Sequence, residues 1–257
     1  MKTLITLAVL AAAAGSPALA SAAELHLKDM IANVQIIPEA RSDIQVTVTR
    51  TYAGLPPLKI TRTADGGVLV DGGLAHRLHT CGGLRNVSLF GKPMIPKNAA
   101  PQLVVHAPLD LSIRANGRVE GQVGNARALT MDVGGCGDWK VGDVAGRLSL
   151  DASGLGDVRV GRTGQATVSL SGLGDVDLAS VDGPLNIEAS GMGDVLVRGG
   201  HATVMKASLS GMGDLSFKGV ADSLDADASG MGEINVAKVT GPVRKSRSGL
   251  ASIHVGH

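Results

Sequence analysis

The sequence predicts an all-β protein, a right-handed parallel β-helix (β-solenoid) with coils of about 19 residues. Three observations carry that prediction. The hexapeptide Ser171-Gly172-Leu173-Gly174-Asp175-Val176 returns as Ser190-Gly191-Met192-Gly193-Asp194-Val195, and its first glycine recurs as Gly135, Gly154, Gly172, Gly191, Gly211, Gly230 and Gly249, in steps of 18 to 20 residues. The segments between these corners alternate apolar and polar residues with period 2, the mark of a strand with one buried face. The chain holds 36 glycines in 257 residues but only 1 tryptophan, 1 tyrosine and 2 phenylalanines, as a narrow, repetitive, aliphatic interior with many corners requires.

Taken in chain order, residues 1–20 read as a secretory signal peptide. Lys2 precedes an apolar run from Leu4 to Ala14, and Ala18-Leu19-Ala20 has the small-residue pattern of a cleavage site, with an alternative cut after Ala22. That run is shorter than the ~20 residues of a spanning helix, and no later apolar stretch approaches this length. The chain is therefore expected to be exported, without a membrane span, and to act in the periplasm or at the cell surface. Removing Lys2 from the 24 basic side chains leaves 23 against 23 acidic ones. This balance offers no electrostatic footprint for nucleic acid or an anionic membrane surface.

Residues 21–108 are less regular but keep the alternation, as in Val34/Ile36 and Ile44/Val46/Val48. They are expected to wind into the same body as irregular coils, with an excursion at about residues 78–101. Cys81 in that excursion and Cys136 in the repeat are the only cysteines, and in an exported chain the pair reads as a disulfide. The alternative, a metal site built from His76, His79 and Cys81, lacks a standard ligand spacing.

Residues 109–257 form the regular repeat. Triplets such as Leu148/Leu150/Ala152, Leu185/Ile187/Ala189 and Leu224/Ala226/Ala228 precede each corner, and pairs such as Val158/Val160, Val176/Leu178, Val195/Val197 and Leu215/Phe217 follow it. A looser third segment carries Val144, Val181, Val220 or Val239, so each coil has three sides. Ala115-Asn116-Gly117 is a weaker, earlier member of the corner series. Equivalent residues then stack about 4.8 Å apart, and winding the whole chain would give about 12 coils. The corner glycines are expected to supply positive φ, and Ser153, Ser171, Ser190, Ser210, Ser229 and Ser248 to bond backbone groups. Leu155, Leu173, Met192, Met212 and Met231 make an apolar ladder that begins at Cys136. Arg244, Lys245 and Arg247 fall where the last coil needs a cap or a solvated edge.

The recurring Ser-Gly-x-Gly-Asp-Val, with APLDLSIRANGRV leading into it, resembles the bacterial family labelled putative auto-transporter adhesin, head GIN domain. The resemblance covers about Leu25 to His254 and is strongest from Leu109 onward. It implies an exported β-helix and carries over no catalytic residues.

Asp138, Asp157, Asp175, Asp194, Asp214 and Glu233 form an acid ladder, for which three readings stand. Each carboxylate accepts backbone N–H bonds at its own corner and faces water. Alternatively the row binds cations, although a calcium-binding nonapeptide solenoid offers an acid about twice as often. In the third reading, adjacent rungs serve as the paired carboxylates of a polysaccharide-acting enzyme, yet no special residue breaks the repeat and aromatic platforms are scarce. The sequence thus favours a non-enzymatic structural or adhesin-like module of the bacterial envelope. It is expected to need no cofactor and to engage an envelope protein or an extended polysaccharide, with self-association end to end or side by side.

Overall fold

The computed structural model describes residues 22–75, 86–89, 92–96 and 100–256. Among them there is no helix, and the strands wind into a solenoid of about eight turns. The first strand, β1 (Ala23–Glu39), bends at Asp29, whose φ of 47° makes it the one non-glycine residue in the left-handed region among those described. Then come β2 (Gln45–Arg50), β3 (Lys59–Arg62), β4 (Val68–Asp71), the hairpin of β5 (Asn86–Leu89) and β6 (Lys92–Pro96), and β7 (Gln102–Pro108).

These N-terminal strands do not stack in the order of the sequence. β1 pairs in parallel with β4 and β7 on one side and with β8 (Asp110–Val123) on the other. The chain therefore lays down its second level first, goes outward to build the level beneath it, and returns to the third. β3 closes on β4 and β2 on β7, both antiparallel, so the outer end of the stack is covered by reversed strands. Antiparallel cover changes the hydrogen-bond pattern at this end and blocks further parallel growth there.

From β8 onward the coils follow one another. They use β9 (Ala128–Val133), β10 (Trp139–Val141), β11 (Val144–Ala152), β12 (Val158–Leu170), β13 (Val176–Asp182), β14 (Leu185–Ala189) and β15 (Val195–Val197). The stack ends with β16 (Gly200–Ala202), β17 (Met205–Leu209), β18 (Leu215–Ala221), β19 (Leu224–Ala228), β20 (Glu233–Val239), β21 (Val243–Arg247) and β22 (Ser252–Val255). Every pairing in this region is parallel. Three pairing runs recur per turn, exemplified by Leu148↔Ala166, Val158↔Val176 and Val144↔Thr163. The solenoid thus has fewer turns than the 12 reached by winding the whole chain, because β2 and β3 go to antiparallel cover and β5 and β6 pair in a separate two-stranded sheet, so of the strands between β1 and β8 only β4 and β7 add a level.

The interior is a set of apolar columns. One of them runs Val34, Gly121, Trp139, Val158, Val176, Val195, Leu215, Ile234 and Ile253. Only the neighbours Gly121 and Trp139 depart from branched aliphatics, and they do so in opposite directions. A Cβ on Gly121 would lie 2.0 Å from the Trp139 ring, so the indole occupies the volume that glycine vacates. Trp139 and Phe217 are both buried. Thr163, a buried polar side chain, donates its hydroxyl to the Gln165 carbonyl at 2.8 Å.

At the far end β21 pairs only with β19, and its Arg244, Lys245 and Arg247 are exposed. Charges along an open edge oppose the addition of another strand.

Candidate functional site

The repeated corner is where chemistry-bearing side chains line up, and glycine is what allows the corners to stack. A Cβ on Gly154 would sit 1.9 Å from the Gly135 carbonyl oxygen; on Gly172, 2.1 Å from that of Gly154; on Gly191, 2.1 Å from that of Gly172. The second glycine of the motif repeats the arrangement, with Gly193 at 1.8 Å from the Gly174 oxygen and Gly213 at 2.0 Å from the Gly193 oxygen. The expectation that these glycines all supply positive φ is corrected here. Gly117, Gly137, Gly156, Gly230 and Gly249 do, whereas Gly154, Gly172, Gly174, Gly191, Gly193, Gly211 and Gly213 do not. At most corners glycine is required because the neighbouring turn's carbonyl occupies the space of a side chain.

The acid ladder forms, with a bonding pattern that differs from the local one expected. Oδ1 of Asp138 accepts the N–H of Asp157 at 3.2 Å, Asp157 that of Asp175 at 3.2 Å, and Asp175 that of Asp194 at 3.0 Å. The series continues from Asp194 to the N–H of Asp214 at 2.8 Å, and from Asp214 to that of Glu233 at 2.9 Å. Each carboxylate therefore ties its own turn to the next one, and the row is a seam of the stack. Register extends it by Glu120, which sits one turn before Asp138.

The other corners of the coil use the same device. Asn125 Oδ1 accepts the Asp143 N–H at 2.9 Å, Asp143 Oδ1 accepts the Arg162 N–H at 2.8 Å, and Asp182 Oδ1 accepts the His201 N–H at 3.2 Å. The backbone N–H and then the guanidinium of Arg162 hold the Asp143 carboxyl below the usual carboxylate range. Asn125 shows that a neutral amide performs this bonding as well as a carboxylate does.

That equivalence sets a test on the ladder. Asp175→Asn keeps the acceptor and removes one of a row of like charges, so it is expected to leave stability unchanged or slightly raised. Asp175→Ala orphans the Asp194 N–H and is expected to cost about 1–2 kcal/mol. Urea denaturation of the two variants separates a seam from a row kept for its charge.

Beside the ladder a groove of about 440 Å³ is lined by Asp157, Asp175, Asp194 and Asp214 together with Arg159, Arg198 and Lys218. Arg159 pairs with Asp157 at 3.0 Å, and Arg198 forms a bidentate pair with Asp177, Nε to Oδ1 at 2.8 Å. Among the described residues no group of three His, Cys, Asp or Glu side chains is arranged to hold a metal ion. His76, His79 and Cys81 lie outside the described residues, and with them the expected bridge to Cys136; no free cysteine occurs among those described.

Sequence reasoning placed the Leu and Met residues in a ladder, and the structure turns that ladder outward. Leu155, Leu173, Met192, Met212, Met231 and Leu250 account for six of the eight exposed large apolar side chains among the described residues. They are 40–81% exposed and form a straight ridge about 24 Å long. Next to it lies a channel of about 510 Å³ floored by Gly154, Gly172 and Gly191 and walled by Ser153, Ser171 and Ser190 opposite the ridge. These serines were expected to bond backbone groups. The residues are instead exposed and their hydroxyls, among the described residues, hold no hydrogen bond within the chain, because the carbonyls and N–H groups nearby are already used between turns.

No family model matches the chain, and no curated protein matches it in sequence. Its fold is similar to two solved structures. One is a "putative adhesin" from Bacteroides fragilis, with a TM-score of 0.53, 16% identity and 91% of each chain covered. The other is a "putative lipid binding protein" from Parabacteroides distasonis, with a TM-score of 0.53, 15% identity, and 92% of this chain and 93% of that one covered. At these identities the likeness shows the fold alone.

Proposed function

We propose that the chain is an exported, non-enzymatic, adhesin-like interaction module of the bacterial envelope that docks an extended partner, a polysaccharide or an envelope protein, along its corner ridge. The observation that carries this reading is the exposed row from Leu155 to Leu250, one apolar side chain per turn in an unbroken line. Proteins seldom expose contiguous apolar surface without a partner for it, and a straight row with a hydroxyl-walled channel beside it matches a partner that is itself straight.

Other features support the module over an enzyme. The acid ladder is engaged in joining turns. Among the described residues no aromatic side chain lines the acidic groove to offer a platform for a sugar ring: Trp139 and Phe217 are buried and Tyr52 is half-buried away from it. The names of the two similar structures, adhesin and lipid-binding protein, describe binders. Both ends of the stack carry basic side chains, Lys59 and Arg62 on β3 and Arg244, Lys245 and Arg247 on β21, which disfavours end-to-end pairing of copies.

The test is binding of the chain without residues 1–20 to a panel of envelope polysaccharides and envelope proteins, alongside Leu173→Lys/Met212→Lys. Binding of an extended partner without turnover, weakened about tenfold or more by the two lysines, is the expected result. A glycan-cleaving activity that vanishes in Asp175→Asn/Asp194→Asn with folding intact would instead establish the polysaccharide-acting enzyme.

A further inference from the structure

We propose that Met192, Met212 and Met231 form a thioether site for a soft monovalent cation, copper(I) or silver(I). The three residues occupy successive turns at the same point of the corner. Met192 N–H donates to Gly172 O, Met212 N–H to Gly191 O and Met231 N–H to Gly211 O, each at 3.2 Å. The same bond in each turn puts the three side chains on one line, about 4.8 Å apart. A methionine side chain has three rotatable bonds beyond Cα and a polarizable sulfur, so neighbouring thioethers at this spacing can converge on one ion.

Two observations separate this from a merely apolar ridge. The remaining methionines whose side chains are described, Met30, Met131 and Met205, are all buried at 0–1% exposure, whereas Met192, Met212 and Met231 are 53–60% exposed. Every solvent-facing methionine among the described residues thus belongs to this one run. Leucine fills the same position at Leu155, Leu173 and Leu250, so the ridge does not require sulfur to be apolar or to fold.

Charge and ligand chemistry agree. Thioethers are neutral, soft donors that select copper(I) over the harder divalent ions. Two residues beyond each methionine the chain carries Asp194, Asp214 and Glu233, so the same corners hold a row of carboxylates whose field favours a cation over an anion; Glu233 is itself paired with His254 at 2.6 Å. Silver(I) has the same charge and softness as copper(I) and does not cycle between oxidation states under ordinary buffer conditions, which makes it the cleaner probe.

The experiment is a titration of the chain, labelled at the methionine methyl carbons, with silver nitrate in chloride-free buffer, followed by NMR and native mass spectrometry. The methyl signals of Met192, Met212 and Met231 are expected to shift together as silver binds, those of Met30, Met131 and Met205 to stay in place, and calcium and zinc to leave all of them unmoved. Met192→Leu/Met212→Leu/Met231→Leu keeps the ridge apolar. It is expected to retain the wild-type melting temperature while its affinity for silver falls about tenfold or more. Unshifted methyl signals in the wild type, or equal silver affinity in the leucine variant, overturns the proposal without touching the docking role of the ridge.

Discussion

Gly193→Ala is expected to destabilise the solenoid by about 3 kcal/mol or more, among the largest effects of a single methyl group in this chain. The new Cβ would lie 1.8 Å from the Gly174 carbonyl oxygen and 2.7 Å from its carbon. Both atoms are backbone, fixed by the pairing of their own turn, so relief requires the turns to move apart and breaks hydrogen bonds on either side of the corner. Gly199→Ala is the matching control: nothing lies within 4 Å of its added Cβ, and its cost is expected to stay within about 0.5 kcal/mol. Denaturant unfolding of the two variants decides the matter. Equal stability would mean that the corner glycines recur for a reason other than contact between turns.

The second large effect is a coupling. Gly121→Val and Trp139→Val are each expected to cost about 2–4 kcal/mol, the first by driving a side chain into the indole and the second by emptying the space the indole fills. Combined, they restore the valine column seen at Val158, Val176 and Val195. The double variant is therefore expected to recover most of the loss, with a coupling of about 2 kcal/mol or more. The three nearest atoms to an added Gly121 Cβ, at 2.0–2.5 Å, all belong to the Trp139 ring, so the closest obstacles leave with the indole. Additive losses would show that Trp139 is held by something other than the vacancy over Gly121.

Much of the regular region was legible in the sequence because in a stack each residue's nearest neighbours are the residues one period away. Leu185, Ile187 and Ala189 fall on Met205, Ala207 and Leu209 in the structure, as the period of the triplets requires. The role of the glycines was harder to see. Positive φ and the close approach of a neighbouring carbonyl both exclude side chains, and a glycine in the sequence records only the exclusion. The acid ladder was visible as a row, yet its bonding partner lies one turn on, and local turn chemistry gave no sign of that. The Gly121–Trp139 pair did leave a signal: both residues stand where other turns carry valine.

The placement of β1 between β4/β7 and β8 had no counterpart in the sequence pattern. Asp29 and Met30 occupy the corner that Asn116 and Gly117 fill in the next level, with Asn116 Oδ1 accepting the Asp29 N–H at 2.8 Å, but the glycine that marks later corners is absent from the earlier one.

By itself the sequence determined the strand character, the period, the three-sided coil and the rows of like residues, since these follow from alternation and from contacts between residues a fixed distance apart along the chain. Tertiary structure alone decided the order of the N-terminal levels, the antiparallel cover at that end, which glycines serve φ and which serve contact, and the outward turn of the Leu and Met ladder. Those features depend on which surfaces meet across many residues of intervening chain, and the energy of such meetings is set by space and hydrogen-bond partners that no local pattern encodes.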